Sequence, residues 1–328
     1  MIWFRFASIR LLICFVPALM LCGGMIGIRL NYSLAADKAP ASFTVILLPD
    51  TQFYSKRYPQ TYYKQACWIV EHRNDLNIKF VIHLGDITRN NTPEQWRIAD
   101  RAHKILDKAG IPYSVIPGNH DMPKEGDGRV RDTTNYNLYF GPHRFKKKKW
   151  YGGHMGLKND NNFTFFKHGS LRFMVVCLEF APTVKALDWA NHLVNQYKDR
   201  RVIIVTHCYQ AKSLAGEAGA GGYKTNCAIR YKIEGSGGDV VWEKLVSRHE
   251  NIFMVLSGHV SDVEHKTRNG VAGNTVHEIL TDFQSERPGG DEELKKSGNG
   301  WLRILKFVPA ENKIYVNPYS VEEKHGII

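Results

Sequence analysis

Side chains that can bind a metal ion follow five separate apolar runs of this sequence, and each run has the length and β-branched character of a buried strand. The runs cover residues 43–48, 80–84, 112–116, 202–205 and 252–256. Helical patterns occur between or beside them, at residues 64–76, 92–109 and 185–198. Strands that alternate with helices predict an α/β fold with functional residues at the carboxyl ends of the strands.

Other parts of the chain have antiparallel patterns. Residues 162–166 and 171–178 predict one hairpin, and residues 302–308 and 313–316 predict another. Thr92-Pro93-Glu94-Gln95 predicts a helix start, with Thr92 as the cap and Gln95 closing a capping box. We therefore expect one domain of two packed sheets with helices outside them.

The amino terminus has the pattern of an export signal. Arginines precede an uncharged run at residues 11–28, and a cut after Ala35 fits the small residues that a signal peptidase reads. The run approaches the length of a membrane span, but its proline and glycines disfavour a permanent helix. We expect residues 1–35 to be a signal peptide or an N-terminal membrane anchor, and residues 36–328 to be the folded domain. The chain would then be exported. It would be periplasmic, extracellular, or anchored in the membrane by residues 11–28.

The residues that follow the strands form a chemically consistent set: Asp50, Asp86, Asn119 with His120, His207 and His259. Because strand ends converge on one rim of an open α/β sheet, we expect these side chains to lie close together. Carboxylates, a carboxamide and imidazoles suit divalent cations such as Mn²⁺, Fe²⁺ or Zn²⁺. Each residue alone has an ordinary explanation as a turn or loop residue. Their recurrence at all five strand ends indicates a metal site.

These residues belong to motifs that stand in a fixed order: Asp50-Thr51-Gln52, Gly85-Asp86, Gly118-Asn119-His120-Asp121, His207 and Gly258-His259. In that order the sequence resembles the calcineurin-like metallophosphoesterase superfamily, whose signature is D-x-H, GD, GNH[DE], H and GHxH. The resemblance implies an α/β fold (α+β in some schemes) of the metallophosphatase type. That fold is a four-layer α/β/β/α sandwich of two mixed sheets with a two-metal centre on its rim.

The resemblance also implies two metal positions that share Asp86. The first position would be held by Asp50, Gln52 and Asp86. The second would be held by Asp86, Asn119, His207 and His259. A hydroxide activated by the metal pair would attack phosphorus. His120 would protonate the leaving oxygen or stabilise the transition state, and Asp121 would orient His120 by accepting its other ring proton.

Two departures from the signature fall on the first metal position. Gln52 replaces the usual His of D-x-H, a variant that resembles some exported members, and Ser261 replaces the second His of GHxH. Only oxygen donors remain there, which favours a weakly held hard cation such as Mg²⁺ or Mn²⁺. Ser261, Asp262 and His265 are the candidate substitute ligands. We expect two divalent ions in total, drawn from Mn, Fe, Zn or Mg, with the first site the weaker.

These features predict an exported metal-dependent phosphoester hydrolase, either a phosphomonoesterase or a phosphodiesterase. The alternative is a catalytically weak relative that binds a phosphate-bearing ligand through the same rim, as the departures at Gln52 and Ser261 would favour. The excess of 44 Lys and Arg over 32 Asp and Glu suits an anionic substrate in either case. No stable protein partner is implied.

Three further features are open to more than one interpretation. The basic run of Lys146, Lys147, Lys148 and Lys149 predicts a polyanion contact or, more simply, a solvated loop. The glycine-rich segment 216–222 lacks the lysine of a P-loop and predicts a mobile lid near the rim. Cys208 and Cys227 flank that segment and can pair in an oxidising compartment, whereas Cys67 and Cys177 are predicted to be buried thiols.

Overall fold

The computed structural model describes residues 2–3, 40–124, 126–210, 227–284 and 297–326. Apart from Ile2–Trp3, the predicted leader lies outside the described residues, and so does the glycine-rich segment 216–222. The boundary after residue 35 and the export of the chain therefore stay predictions. Among the helices of the described ranges, none is long and apolar enough to cross a membrane.

The secondary structure alternates strands and helices, as expected. The strands are β1 Ile2–Trp3, β2 Phe43–Leu48, β3 Ile78–His83, β4 Tyr113–Ser114, β5 Tyr151–His154, β6 Asn162–His168, β7 Leu171–Leu178, β8 Arg201–Thr206, β9 Ile252–Ser257, β10 Val263–Asn269, β11 Thr275–Thr281, β12 Trp301–Val308, β13 Lys313–Ser320 and β14 His325–Gly326. The α-helices are α1 Gln52–Lys56, α2 Pro59–Glu71, α3 Pro93–Ala109, α4 Thr134–Phe140, α5 Pro142–Phe145, α6 Val184–Gln196, α7 Cys227–Tyr231 and α8 Gly238–Lys244. Short 3₁₀ turns occur at Asn119–Asp121, Val246–Arg248 and Pro309–Glu311.

The strands form two mixed sheets. The first has the order β1-β13-β12-β2-β3-β4 with β14 beside β13, and within it β2, β3 and β4 are parallel. The second has the order β10-β11-β9-β8-β7-β6-β5, parallel from β11 to β7 and antiparallel at both edges. The carboxyl ends of the parallel strands in each sheet can therefore supply one rim.

Three large apolar layers form most of the core of the described residues. Phe43 of β2 and Val175 of β7 belong to one buried cluster that joins the two sheets. Helices α2 and α3 cover the other face of the first sheet, with Trp96 fully buried there. Helices α6 and α8 cover the other face of the second sheet through side chains such as Leu187 and Trp242. The predicted four-layer α/β/β/α sandwich is confirmed.

Helix α3 begins where the sequence predicted, but its capping box is only half formed. The hydroxyl of Thr92 accepts a hydrogen bond from Gln95 N at 3.4 Å, and Pro93 occupies the first turn. The side chain of Gln95 turns the other way, and its Oε1 accepts from the backbone N–H groups of Arg89 at 2.9 Å and Asn90 at 2.8 Å. The helix start therefore fixes the loop that carries Arg89, a residue of the site described below.

Several elements differ from the sequence prediction. Helix α2 starts at Pro59, ahead of the predicted start at residue 64, and the predicted strand at residues 112–116 shortens to β4. Strands β5, β10 and β11 were not predicted. Strand β10 lies at a sheet edge and has a polar or charged residue at every position but its first. Three of its seven residues are exposed and none is buried, so the strand carries no apolar signal.

Candidate metal centre

The predicted strand-end residues meet at one rim of the sandwich. Asp50 follows β2, Asp86 follows β3, Asn119 lies beyond β4, and His207 and His259 come after β8 and β9. Asp50, Asp86 and His259 adopt positive φ angles of 41°, 50° and 73°. This conformation costs a non-glycine residue on the order of 1 kcal/mol. Its recurrence at three strand ends indicates that the fold holds these side chains toward a common point.

His207 lies at the middle of the cluster and is completely buried. Its Nδ1 is 2.8 Å from the carbonyl oxygen of Leu84, which fixes the ring and leaves Nε2 free to face the carboxylates. Nε2 lies 3.2 Å from Asp86 Oδ2 and 3.8 Å from Asp50 Oδ1. Burial lowers the pKa of His207, but the charges of Asp86 and Asp50 outweigh burial and raise that pKa to about 10. The cluster therefore attracts positive charge.

Backbone groups hold the two carboxylates. Asp86 Oδ1 accepts from His120 N at 2.9 Å, and Asp50 Oδ1 accepts from His259 N at 3.2 Å. A Cβ atom on Gly118 would overlap Asp86 Oδ1, and one on Gly258 would overlap Asp50 Oδ2. Any side chain at these two positions would displace a carboxylate from the rim. The GNHD and GH motifs thus need glycine at these positions, because the carboxylates of Asp86 and Asp50 lie too close to the backbone for a Cβ atom.

The donor set fits divalent cations. Four buried atoms of the predicted ligands have no hydrogen-bond partner: Asp50 Oδ2, Gln52 Oε1, Asn119 Oδ1 and His207 Nε2. Buried polar atoms are rarely left without a partner, because this costs about 1–3 kcal/mol each. Asn119 Nδ2 donates to Gly126 O at 2.9 Å, which leaves its carboxamide oxygen as the free donor atom. Donor atoms of Asp86, His207 and His259 all lie within 4.8 Å of one another.

The three candidate substitute ligands have other contacts. Ser261 Oγ donates to Asp282 Oδ2 at 3.3 Å, and Asp262 Oδ1 accepts from Val263 N at 2.7 Å. His265 Nε2 lies 3.2 Å from His277 Nδ1 on the neighbouring strand β11. Whether Ser261, Asp262 or His265 serves as a ligand of the first position stays a prediction.

His120 lies beside the centre, with Arg89 against its ring. Nδ1 of His120 is 3.0 Å from Arg89 O, and Nε2 is 2.6 Å from Arg89 Nη1. Because a guanidinium group only donates, Nε2 accepts here and the proton is on Nδ1. Burial lowers the pKa of His120, and the charge of Arg89 adds to this effect against the opposing charge of Asp86. His120 is therefore neutral in this arrangement.

The predicted contact between Asp121 and His120 is wrong. The carboxylate of Asp121 accepts from Gly118 N at 2.9 Å, Ile87 N at 3.0 Å, and Thr88 N and Oγ1 at 2.7 and 2.9 Å. Asp121 thus ties the loop after β3 to the GNHD turn, and the carbonyl of Arg89 orients His120. Consecutive side chains of the 3₁₀ turn Asn119–Asp121 point about a third of a turn apart, so they reach different neighbours.

Sequence reasoning missed two residues of the rim. Arg89 lies three residues after Asp86 in the loop that follows the GD motif, and its guanidinium also lies 5.0 Å from the ring centroid of Phe53. Asp282 follows strand β11 and is 2% exposed. Strand β11 has His277 and Glu278 in its middle, so the sequence before Asp282 lacks the continuous apolar run that marks the other strands of the rim.

A basic groove of about 570 Å³ opens beside the centre, and its lining consists of Lys124, Gly126, Asp127, Arg129, Arg230, Tyr231 and Lys232. Gly126 connects the groove to the centre through its bond from Asn119, and Tyr231 Oη lies 3.4 Å from His259 Nε2. Burial lowers the pKa of His259 to about 3, with His207 and Arg230 contributing. The groove therefore places positive charge where an anionic substrate would approach the metal centre.

The cysteines behave only partly as predicted. Cys208 and Cys227 form a disulfide, which lies in a small buried cluster with Phe180. Cys177 is buried, as predicted. Cys67 is exposed, because helix α2 turns Ala66 and Ile69 toward the sheet and leaves Cys67 on its outer side.

The basic run at Lys146, Lys147, Lys148 and Lys149 lies away from the centre. Lys148 pairs with Asp107 at 2.8 Å, and the other three side chains are exposed. Trp150, the next residue, lines a cleft with Ile78 and Pro112, where β3 and the path to β4 begin. The metal centre is at the opposite ends of these strands. Contact of the four lysines with a polyanion therefore stays a prediction, and their position gives them no part in the metal centre.

The family Metallophos, calcineurin-like phosphoesterase, matches residues 43–262. "Uncharacterized protein YvnB" of Bacillus subtilis is 32% identical over 301 residues, which cover 89% of this chain and 21% of YvnB, so the chain spans about a fifth of that relative. "Probable glycerophosphodiester phosphodiesterase GpdQ" of Arcobacter nitrofigilis is 37% identical over 260 residues, covering 74% of this chain and 82% of GpdQ.

Purple acid phosphatase PPD1 from yellow lupin, Lupinus luteus, superposes with a TM-score of 0.51 at 12% identity, covering 88% of this chain and 53% of PPD1. At that identity the likeness supports the sandwich architecture and not a shared substrate.

Proposed function

The chain belongs to the calcineurin-like phosphoesterase family, and from this premise we propose that it hydrolyses phosphodiesters with two divalent metal ions bound at the rim. The observation that carries the proposal is the set of four buried donor atoms without partners, on Asp50, Gln52, Asn119 and His207. The family itself is one of metal-dependent hydrolases of phosphoester bonds, which supports the predicted enzyme class. The preference for a diester is supported by the relative from Arcobacter nitrofigilis that is named a probable glycerophosphodiester phosphodiesterase. The match covers 82% of that relative.

The residues present would hold the ions as the sequence predicted. Asp86, Asn119, His207 and His259 would hold one ion, and Asp50 and Gln52 would hold the other together with Asp86. Bound there, divalent ions supply Lewis acidity toward a phosphoryl oxygen and neutralise its charge. The two imidazoles give one position a mixed nitrogen and oxygen character, and the other keeps oxygen donors, so the two positions differ in the metals they prefer.

The chain's own groups then act on the leaving oxygen and the substrate charge. His120 has one ring nitrogen fixed by Arg89 O, so its Nε2 is the atom that can hold a proton for the leaving oxygen. The guanidinium of Arg89 contacts this same atom and is placed to donate to a phosphoryl oxygen once His120 is protonated. Arg230 and its neighbours in the groove attract the anionic substrate.

We also propose that residues 1–35 direct export and that residues 36–328 act outside the cytoplasm. The uncharged run at residues 11–28 supports this. The disulfide between Cys208 and Cys227 is a second support, because such bonds persist mainly in oxidising compartments. N-terminal sequencing of the protein recovered from outside the cytoplasm, starting at residue 36, would support the boundary. Recovery of the full chain in the cytoplasm would contradict it.

The function is tested by turnover of purified metal-loaded protein. We expect Mn²⁺-dependent hydrolysis of bis-nitrophenyl phosphate and of a glycerophosphodiester, with lower kcat/KM for nitrophenyl phosphate. Removal of metal by a chelator should abolish turnover, and Mn²⁺ should restore it. Binding of the diester without turnover under any divalent metal would favour the alternative, a catalytically weak phosphate-binding relative.

Arg230→Ala should weaken substrate capture without changing the chemistry. We expect KM for a diester to rise about 3- to 10-fold, with kcat nearly unchanged, because an exposed charge contributes of the order of 1 kcal/mol. The effect should shrink as salt is raised, since screening already weakens the wild-type attraction. Lys185→Ala, at an exposed position of α6 that does not line the groove, is the matched control. A fall in kcat at unchanged KM would contradict the assigned role of the groove.

A further inference from the structure

The first metal position is short of donors. Gln52 and Ser261 occupy the places of its two imidazoles, so its charged ligands are Asp50 and the shared Asp86. Hard divalent cations usually take six or more oxygen ligands, several of them carboxylates. Another donor from this chain would therefore strengthen the position.

Asp282 directly follows strand β11, at the end of the strand that faces this position. That strand lies next to β9 in the second sheet and runs parallel to it, so both carboxyl ends reach the same rim. Asp282 N donates to Asp262 O at 2.9 Å, which fastens the end of β11 to the segment that follows His259. The Asp282 side chain is almost fully buried, at 2% exposure.

The contacts of Asp282 connect it to every residue that is specific to the first position. Its Oδ2 accepts from Ser261 Oγ at 3.3 Å, and its Oδ1 accepts from Gln284 N at 2.9 Å. The side chain of Gln284 continues to that position, with Nε2 donating to Asp50 O at 2.9 Å and Oε1 accepting from Gln52 Nε2 at 3.3 Å. Ser261 stands where the family signature has a histidine ligand, and its hydroxyl donates a hydrogen bond to the carboxylate of Asp282.

From this network we propose that Asp282 is a ligand of the first metal position, and that its carboxylate replaces the imidazole lost at Ser261. A buried carboxylate is unfavourable unless a cation or hydrogen bonds compensate it. Here three of them, Asp50, Asp86 and Asp282, are buried at one rim, and Asp50 Oδ2 has no hydrogen-bond partner. The position then has oxygen donors only, which selects Mn²⁺ or Mg²⁺ over Zn²⁺. This inference rests on the proposed metal-dependent function and deepens it.

Calorimetric titration of the metal-free full chain with Mn²⁺ tests the inference separately from turnover. We expect the wild type to bind two equivalents, and Asp282→Asn to lose affinity for the weaker one by about 10- to 100-fold while keeping the tighter one. The retained tight equivalent, held through Asn119, His207 and His259, would show that the variant is folded. Asp188→Asn, on the exposed side of α6, is the control that should change neither equivalent.

Two equivalents with unchanged affinity in Asp282→Asn would overturn the inference. A wild type that binds one equivalent and still hydrolyses diesters would also overturn it; the proposed hydrolysis of phosphodiesters would then stand, but with one metal ion in place of two. If Asp282→Asn does not fold, Asp282→Glu decides instead, because it keeps the charge and moves the carboxylate by one methylene. It should lower the Mn²⁺ affinity of the weaker equivalent at least about 10-fold and leave the tighter one unchanged, and an unchanged affinity would count against Asp282 as a ligand.

Discussion

Replacement of Asp86 by asparagine is expected to lower hydrolysis of a phosphodiester by roughly 10³-fold or more and to reduce the bound metal. Asp86 contacts His207 Nε2 and Gln52 Nε2, both at 3.2 Å, and His120 N at 2.9 Å. An asparagine amide has the same shape but carries no charge, and its N–H group would face Gln52 Nε2 or His120 N, which both donate to Asp86. Since both metal positions share this side chain, neither would keep its normal affinity.

The folding of the Asp86→Asn variant is checked first. Asp86 lies 3.2 Å from His207 Nε2, and removal of one partner of a buried charged pair can cost about 3–5 kcal/mol, so the metal-free variant should unfold at a lower temperature than metal-free wild type while keeping a cooperative transition. Turnover and metal content by elemental analysis are then compared with those of Asp188→Asn, whose carboxylate is exposed on α6. Wild-type turnover or full metal content in Asp86→Asn would contradict the role of Asp86 as the ligand that both metal positions share.

The strand-end residues could be predicted because their signal is local. Each of Asp50, Asp86, His207 and His259 follows an apolar run within a few residues, and parallel strands bring such ends together whatever the loops do. The same rule applies to Asp282, but strand β11 comes directly after the polar strand β10, where the expected alternation of strand and helix fails. A pattern of alternating strands and helices therefore does not predict β11, and Asp282 is missed with it.

Side-chain contacts inside the loops could not be predicted in the same way. The partners of Asp121 depend on the path of residues 85–91, which Gln95 fixes from the start of helix α3. That path also places the carbonyl and the guanidinium of Arg89 on His120. Such contacts join residues about 30 positions apart through irregular backbone, and neither periodicity nor a short motif encodes them.

Replacement of His120 by glutamine is expected to have an effect that depends on the leaving group. For a glycerophosphodiester, whose alkoxide needs a proton, we expect kcat to fall by about 10²- to 10⁴-fold. For bis-nitrophenyl phosphate the loss should be less than about 10-fold, because nitrophenolate leaves readily without a proton. Metal content should stay unchanged, since the contact of His120 with Asp86 is through its backbone N–H and survives the substitution.

The pH profile separates a proton donor from a residue that only positions the substrate. Arg89 lowers the pKa of His120, so Arg89→Met should raise that pKa and extend turnover of the glycerophosphodiester to higher pH. The double variant Arg89→Met with His120→Gln should lose this shift, because the titrating ring is gone. Equal losses for both leaving groups in His120→Gln, together with a profile that Arg89→Met does not move, would mean that His120 positions the phosphoryl group and that another group protonates the leaving oxygen.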